Sequence, residues 1–407
     1  METEETSSFN DNKTEKGSDR VLFVKFDNFG RLCIETERTG FCVYKISFQL
    51  KVLEFGNNND FKNITIFESF DRKKSVYVTS NLQRSLCIHD LDKNKQLERH
   101  IFTSKIVEVK ISKLIYFTFF TDHGYVCNTK TFERLQRIDK ISVEKFVCCI
   151  SPNLDSPYLA YTATNHTGIL ALYSIEKHEE TNKFHAHKNS IRIISFNSKG
   201  NLLATCSELG TLIRLFSIPE CEKLKEFRRG TINSSRIDCL SFCDKSEFLA
   251  VTGSTKTVHL FLIKNIFHQK GFEKSLSTLA TSTAGYILLT LVTGPISKFS
   301  FLKKTAQTIG KYVLSSVSDV ASKSSSVNIA ANQVNNIIHP FLPKFVTDVL
   351  NEERASLTFK CTEENIKRVC YFVRSNSEFC LVLVGENGYI SYRKLEEDKL
   401  KLSLKEK

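Results

Sequence analysis

Two adjacent arginines close the segment Leu224 to Arg229, in the run Phe227-Arg228-Arg229-Gly230. A guanidinium stays charged at any physiological pH, and its planar fork fits two oxygens of a phosphate or carboxylate at once. The segment reads as a β-strand, and neighbouring strand residues point to opposite faces of a sheet. Arg228 and Arg229 are therefore expected to serve two separate anion sites. Arg214 places a third guanidinium inside the apolar run Leu212-Ile213-Arg214-Leu215-Phe216. A charge there requires a bound anion, or an acid such as Glu208 or Glu226, to offset its burial. Before the arginine pair stands Ala186-His187-Lys188, and after it Gly253-Ser254-Thr255-Lys256-Thr257-Val258-His259. Hydroxyls, imidazoles and exposed backbone N–H groups donate well to phosphate oxygens and inositol hydroxyls. A strand histidine such as His259 can equally be a packing residue. Neither cluster sets a nucleophile beside a base, pairs acids or gathers metal ligands. No enzyme chemistry, metal or cofactor is expected.

The elements that must hold these groups recur along the chain. A short apolar run, a polar turn, a second run, a turn and a third run form a unit, first seen in Val21 to Phe26, Arg31 to Glu35 and Gly40 to Ile46. Further units begin near Ile64, Ile106, Phe146, Ile191, Ile237 and Val369. The spacing is about 40 to 45 residues, the period of a WD-type propeller blade. Turns carry Asn28-Phe29-Gly30, Asp122-His123-Gly124, Ser198-Lys199-Gly200 and Glu386-Asn387-Gly388, where strands must reverse. The expected class is all-β, a seven-bladed WD40-like β-propeller over residues 21–407. Trp-Asp dipeptides are missing, and a sandwich with a second domain is the competing architecture.

One break interrupts the repeat, between Thr257 to Phe261 and Ala355 to Lys360. Within it, Ser275 to Ser297 has no charged residue and nine Ser or Thr. From Leu302 the periodicity turns helical, through Ala306, Ile309, Val313, Val317 and Val320. Residues 264–354 are thus expected to be a partly helical or disordered sixth-blade insertion. Its apolar residues Leu302, Ile309, Val313, Val317 and Val320 suit either a membrane interface or a plain linker. Low apolar density argues against a spanning helix.

The chain has 407 residues, ample for a large core, with 41% hydrophobic and 25% charged residues. Its net charge of +12 suggests an anionic partner or a dispersed lysine-rich surface. No dense basic block with aromatic partners appears, so nucleic acid is not expected. Residues 1–20 are polar and acidic without an apolar core, and read as a disordered leader rather than a secretory signal. Thirteen cysteines without paired C-x-x-C spacing read as free thiols in a reducing cytosol.

Phe227-Arg228-Arg229-Gly230, preceded by Gly210-Thr211-Leu212-Ile213-Arg214 and followed by Thr257-Val258-His259, resembles the PROPPIN family of polyphosphoinositide-binding propellers, which includes the WIPI proteins of autophagy. The match is densest over Ala186 to Phe261. The resemblance implies two headgroup sites, for phosphatidylinositol 3-phosphate and phosphatidylinositol 3,5-bisphosphate. The first would use His187, Ser207, Thr211, Arg214 and Arg228. The second would use Arg229, Thr231, Ser254, Thr255, Thr257 and His259. It also implies that the sixth-blade insertion is a membrane-inserting loop, and that the protein is cytoplasmic, associating peripherally with endosomal, vacuolar or autophagosomal membranes. Such a protein would be a non-enzymatic effector that recruits autophagy or vesicle-trafficking factors to an anionic membrane surface. The alternative is a scaffold that binds acidic protein partners. Gly253-Ser254-Thr255-Lys256 departs from the family's Ser-Ser-Asp-Lys-Gly type, leaving open which hydroxyl contacts the second headgroup. Gln83-Arg84 stands where many relatives have Pro-Arg, so Arg84 is a candidate contact for an autophagy lipid-transfer or scaffold protein.

Overall fold

Each apolar run becomes one strand, and four successive strands pair antiparallel into a blade. The computed structural model describes residues 5–8, 20–263 and 353–395, apart from short breaks at 48–49, 57–60, 113–114, 140–145, 154–156, 164–167, 231–233, 356, 362–365 and 376–377. Blade 1 comprises Val21–Phe26, Arg31–Thr36, Gly40–Ser47 and Leu50–Gly56. Blades 2, 3 and 4 begin with Ile64–Ser69, Glu108–Ile111 and Cys148–Ile150. Blade 5 comprises Ile191–Phe196, Leu202–Ser207, Leu212–Ser217 and Lys223–Arg228, its strands A to D. Blade 6 has Ile237–Phe242, Phe248–Gly253 and Thr257–Leu262 as A to C, and Leu357–Lys360 as D. Among the described residues six sheets have four strands and that of blade 5 has five.

Ring closure follows from the contacts of the A strands. Each A strand touches those of the two blades beside it, and that of blade 7, Arg368–Ser375, touches that of blade 1. The result is a seven-bladed β-propeller. Blade 7 is completed from the other end of the chain, because Glu5–Ser8 pairs antiparallel with Tyr389–Lys394, from Glu5 opposite Tyr392 to Ser8 opposite Tyr389. These four residues fall in the segment expected to be a disordered leader. An edge strand is held by backbone hydrogen bonds, which leave no apolar signature to read.

Between blades, side chains alternate. In blade 5, Phe216 faces back to Phe184 of blade 4, with ring centroids 4.9 Å apart. Phe227 on strand D faces forward to Phe261 of blade 6, with centroids 4.8 Å apart. Burying such a ring contributes about 1.5–3 kcal/mol, so these contacts fix which face each strand residue presents. Val258 and Leu260 on strand C of blade 6, with Phe359 on strand D, pack against Cys370 and Phe372 of blade 7.

The chain divides into two units, 1–264 with 354–404 and 265–353 with 405–407. Leu302, Ile309, Val313, Val317 and Val320 lie outside the described residues, as does Thr231. No helix among the described residues is long and apolar enough to cross a membrane. None of the thirteen cysteines is in a disulfide, and among the described residues no group of His, Cys, Asp and Glu could hold a metal ion.

Candidate functional site

Strand D of blade 5 ends at Arg228, one residue earlier than the sequence suggests, yet the ladder continues: Arg229 N donates to Thr211 O at 2.9 Å. Alternation therefore holds through the pair. Arg228 shares a face with Glu226, whose partner across the ladder is Arg214, toward blade 4. Arg229 shares a face with Phe227, toward blade 6.

On the blade 4 side a row crosses the sheet, with Thr205 opposite Arg214 and Arg214 opposite Glu226. Glu226, one of the two acids that could meet Arg214, accepts a hydrogen bond from its Nε. Arg214 Nη1 also donates to the carbonyl of Ala186 at 2.7 Å. Burial raises the Glu226 carboxyl, but the bond and charge of Arg214 outweigh it and hold the group below its ordinary value. The linker from blade 4 brings in His187, whose Nε2 lies 2.9 Å from the Thr205 hydroxyl. Burial, aided by the Arg214 charge, pulls His187 down from 6.5 to about 4, so the ring is neutral at pH 7. Arg228 Nη1 reaches the carbonyl of Gly230 at 3.4 Å. Ser207 and Thr211 bracket the turn between strands B and C, which Gly210 N closes by donating to Ser207 O at 3.0 Å. His187, Arg214 and Thr205 thus form one connected group. Sequence reasoning missed Thr205, although its place opposite Arg214 could be counted from the hairpin.

On the blade 6 side, Arg229 Nε donates to the carbonyl of Gly210 at 2.6 Å. Gly210 has φ +63, and a Cβ there would lie 1.8 Å from Ser235 O, so only glycine fits. His259 is drawn down to about 4 by burial and then by the charge of Arg229. Arg229 is itself half-buried, and desolvation lowers its pKa from the ordinary arginine value. A cavity of about 190 Å³ is lined by Arg228, Arg229, Gly230, His259, Ala355 and Thr358. Arg228 borders it too, so the two arginines are not wholly partitioned.

Ser254 and Thr255 of the second set lie in the turn between strands B and C of blade 6, where local groups and Arg368 hold them. Ser254 Oγ lies 3.2 Å from Ser235 Oγ, and Ser254 N donates to Arg236 O at 2.8 Å. Arg368 Nη1 donates to the carbonyl of Thr255 at 3.2 Å, and Thr255 Oγ1 to that of Thr257 at 3.4 Å. Arg368, more than a hundred residues away in sequence, carried no local signal. Arg84 stands apart on blade 2, exposed, its Nη1 3.5 Å from Thr103 O.

The two clusters are built on one plan. Strand A begins opposite the end of strand B in both blades, Ile191 with Ser207 and Ile237 with Gly253. Two residues before those ends, Thr205 faces Arg214 and Val251 faces His259. Arg214 and His259 are thus equivalent, each third in strand C. The linkers match as well: Ala186 N donates to Gly168 O at 2.8 Å as Arg229 N does to Thr211 O.

Fold and site together define a seven-bladed propeller that repeats one polar, arginine-bearing cluster in successive blades. The chain belongs to the PROPPIN family, whose model matches residues 26–289. Among relatives, WD repeat domain phosphoinositide-interacting protein 1 of Homo sapiens is 27% identical over 58% of this chain and 54% of its own length, so the match spans about half of that protein. Autophagy-related protein 18 of Caenorhabditis elegans is 25% identical over 62% of this chain and 63% of its own. In structure the chain is similar to Hsv2 of Kluyvelomyces marxianus, with a TM-score of 0.61 at 15% identity, covering 94% of this chain and 95% of that one.

Proposed function

We propose that this propeller is a non-enzymatic effector that binds phosphatidylinositol 3-phosphate and phosphatidylinositol 3,5-bisphosphate through two clusters, and brings autophagy or vesicle-trafficking factors to the membrane that displays them. One observation carries the reading. Strand D of blade 5 presents Arg228 and Arg229 to opposite sides, at two clusters built on the same plan. His187, Ser207, Thr211, Arg214 and Arg228 would serve the first headgroup. Arg229, Thr231, Ser254, Thr255, Thr257 and His259 would serve the second. The names of the human and nematode relatives support both the lipid and the autophagy side of this reading.

A charge-assisted contact to phosphate contributes only about 1.5–3 kcal/mol net, so a single shallow site binds weakly. Two sites on one molecule make the second lipid's capture effectively intramolecular. The apolar residues Leu302, Ile309, Val313, Val317 and Val320 would add burial at about 25 cal/mol per Å² on entering the membrane interface. Arg84 remains the candidate contact for a protein partner.

Flotation with liposomes tests the reading. The full chain should float with vesicles containing phosphatidylinositol 3-phosphate and stay down with phosphatidylcholine alone. The double variant Arg228→Thr, Arg229→Thr should stay down with both while keeping its circular dichroism. If that variant floats as the wild type does, the arginines meet acidic protein partners instead.

A further inference from the structure

The register of blade 6 brings in a residue from beyond the long insertion. Strand D pairs with strand C so that Thr358 faces His259 and Lys360 faces Thr257. In blade 5 the corresponding pairs are Glu226 with Arg214 and Arg228 with Leu212. Since Arg214 and His259 are equivalent, Lys360 occupies in blade 6 the position that Arg228 occupies in blade 5. Leu357 and Phe359 pack toward blade 7, which leaves Thr358 and Lys360 on the opposite face, toward Arg229. Thr358 lines the cavity that holds Arg229 and His259. The strand end is anchored, for Arg393 Nη2 donates to Lys360 O at 3.3 Å and Cys361 N donates to Lys256 O at 2.6 Å. The side chain of Lys360 is exposed.

The equivalence also shows where the clusters differ. In blade 5 the carboxylate of Glu226 neutralises Arg214. In blade 6 that position holds the hydroxyl of Thr358, and the cations come from the linker and from strand D. We propose that Lys360 is the second phosphate-binding cation of the blade 6 site, and that this site takes the more highly phosphorylated inositol headgroup. The proposal rests on the phosphoinositide reading above and extends it to a residue outside the family-like motif. An ammonium on a flexible stem supplies a mobile positive charge for a second phosphate beside the one met by the Arg229 fork.

The test uses the full chain with vesicles containing either lipid, and with the soluble headgroups of the same lipids. Lys360→Ala should weaken binding of the bisphosphate about tenfold, in both soluble and vesicle form, and binding of the monophosphate less. Lys360→Arg should retain it. In an Arg229→Thr background the alanine change should add little, because that site is already lost, whereas beside Arg228→Thr it should act in full. Unchanged binding by Lys360→Ala, where Arg229→Thr weakens it, overturns the proposal and leaves the two-site reading standing. A loss confined to vesicles also overturns it, since Lys360 would then act only as diffuse surface charge. Absence of wild-type binding to either lipid sinks both.

Discussion

Arg214 and Glu226 face each other across strands C and D of blade 5, joined from Nε to a carboxylate oxygen, with both side chains about four-fifths buried. The cation proposed to meet a lipid phosphate is thus already held by the protein's own acid. Glu226 pairs with Arg214 across the ladder, and under the proposed function it would compete with the ligand.

Replacing that acid by its amide separates the two effects. Glu226→Gln should strengthen binding of phosphatidylinositol 3-phosphate several-fold while costing about 1 kcal/mol of stability, the scale of a partly exposed pair. The Glu226 pKa is depressed on folding, so its stabilisation is present above the unfolded value and lost as pH falls through the folded one. The stability gap between wild type and variant should close in acid. Vesicle titrations and urea melts read the two effects, and weaker binding by the variant would show that Glu226 positions Arg214 instead of competing for it.

The arginine pair should divide its labour. Arg228→Thr or Arg229→Thr alone should reduce apparent vesicle affinity by about tenfold, and only the double variant should abolish it. Surface plasmon resonance on supported bilayers would resolve these steps. A single variant that abolishes binding would contradict two independent sites.

His187 and His259 make stability sensitive to acid. Each is lowered from 6.5 to about 4 in the folded chain, so the unfolded chain takes up protons first. Stability should fall as pH drops through 6.5 and level off below about 4. A shift of that size corresponds to about 3 kcal/mol per histidine. Urea midpoints between pH 7.5 and pH 4 measure this, and His187→Asn or His259→Asn should each flatten the slope. Equal slopes in wild type and both variants would refute it.

Gly210→Ala tests the anchor of the second cluster. The methyl would sit 1.8 Å from Ser235 O on a backbone with φ +63, so the turn must move, and the carbonyl that holds Arg229 moves with it. A loss above about 2 kcal/mol is expected, with a melting temperature lower by several degrees. An unchanged melt would mean that the turn accommodates the methyl freely.

Much of the fold is legible in the chain because blade strands are local. Apolar runs of fixed length between turn residues set strand, hairpin and period by steric and hydrophobic rules acting over about ten residues. The same alternation sends Arg228 and Arg229 to opposite faces of the sheet, although both border one cavity. Glu5–Ser8 escaped that reading because the backbone pairing of an edge strand leaves no apolar pattern in the sequence. Thr205 lay within reach of a hairpin count, whereas Arg368 meets Thr255 only because blade 7 packs beside blade 6 across the long insertion.

The sequence by itself determined the blade period, the arginine pair and its two-sidedness. The tertiary structure decided which residues share a site. The turn between strands B and C is one residue shorter in blade 6, so a fixed period would match Arg214 with Leu260 instead of His259. Lys360 follows an insertion that no period can cross, yet its backbone pairs opposite Thr257. Local sequence encodes which residues form strands, and the hydrogen-bond register between distant strands sets which charges meet.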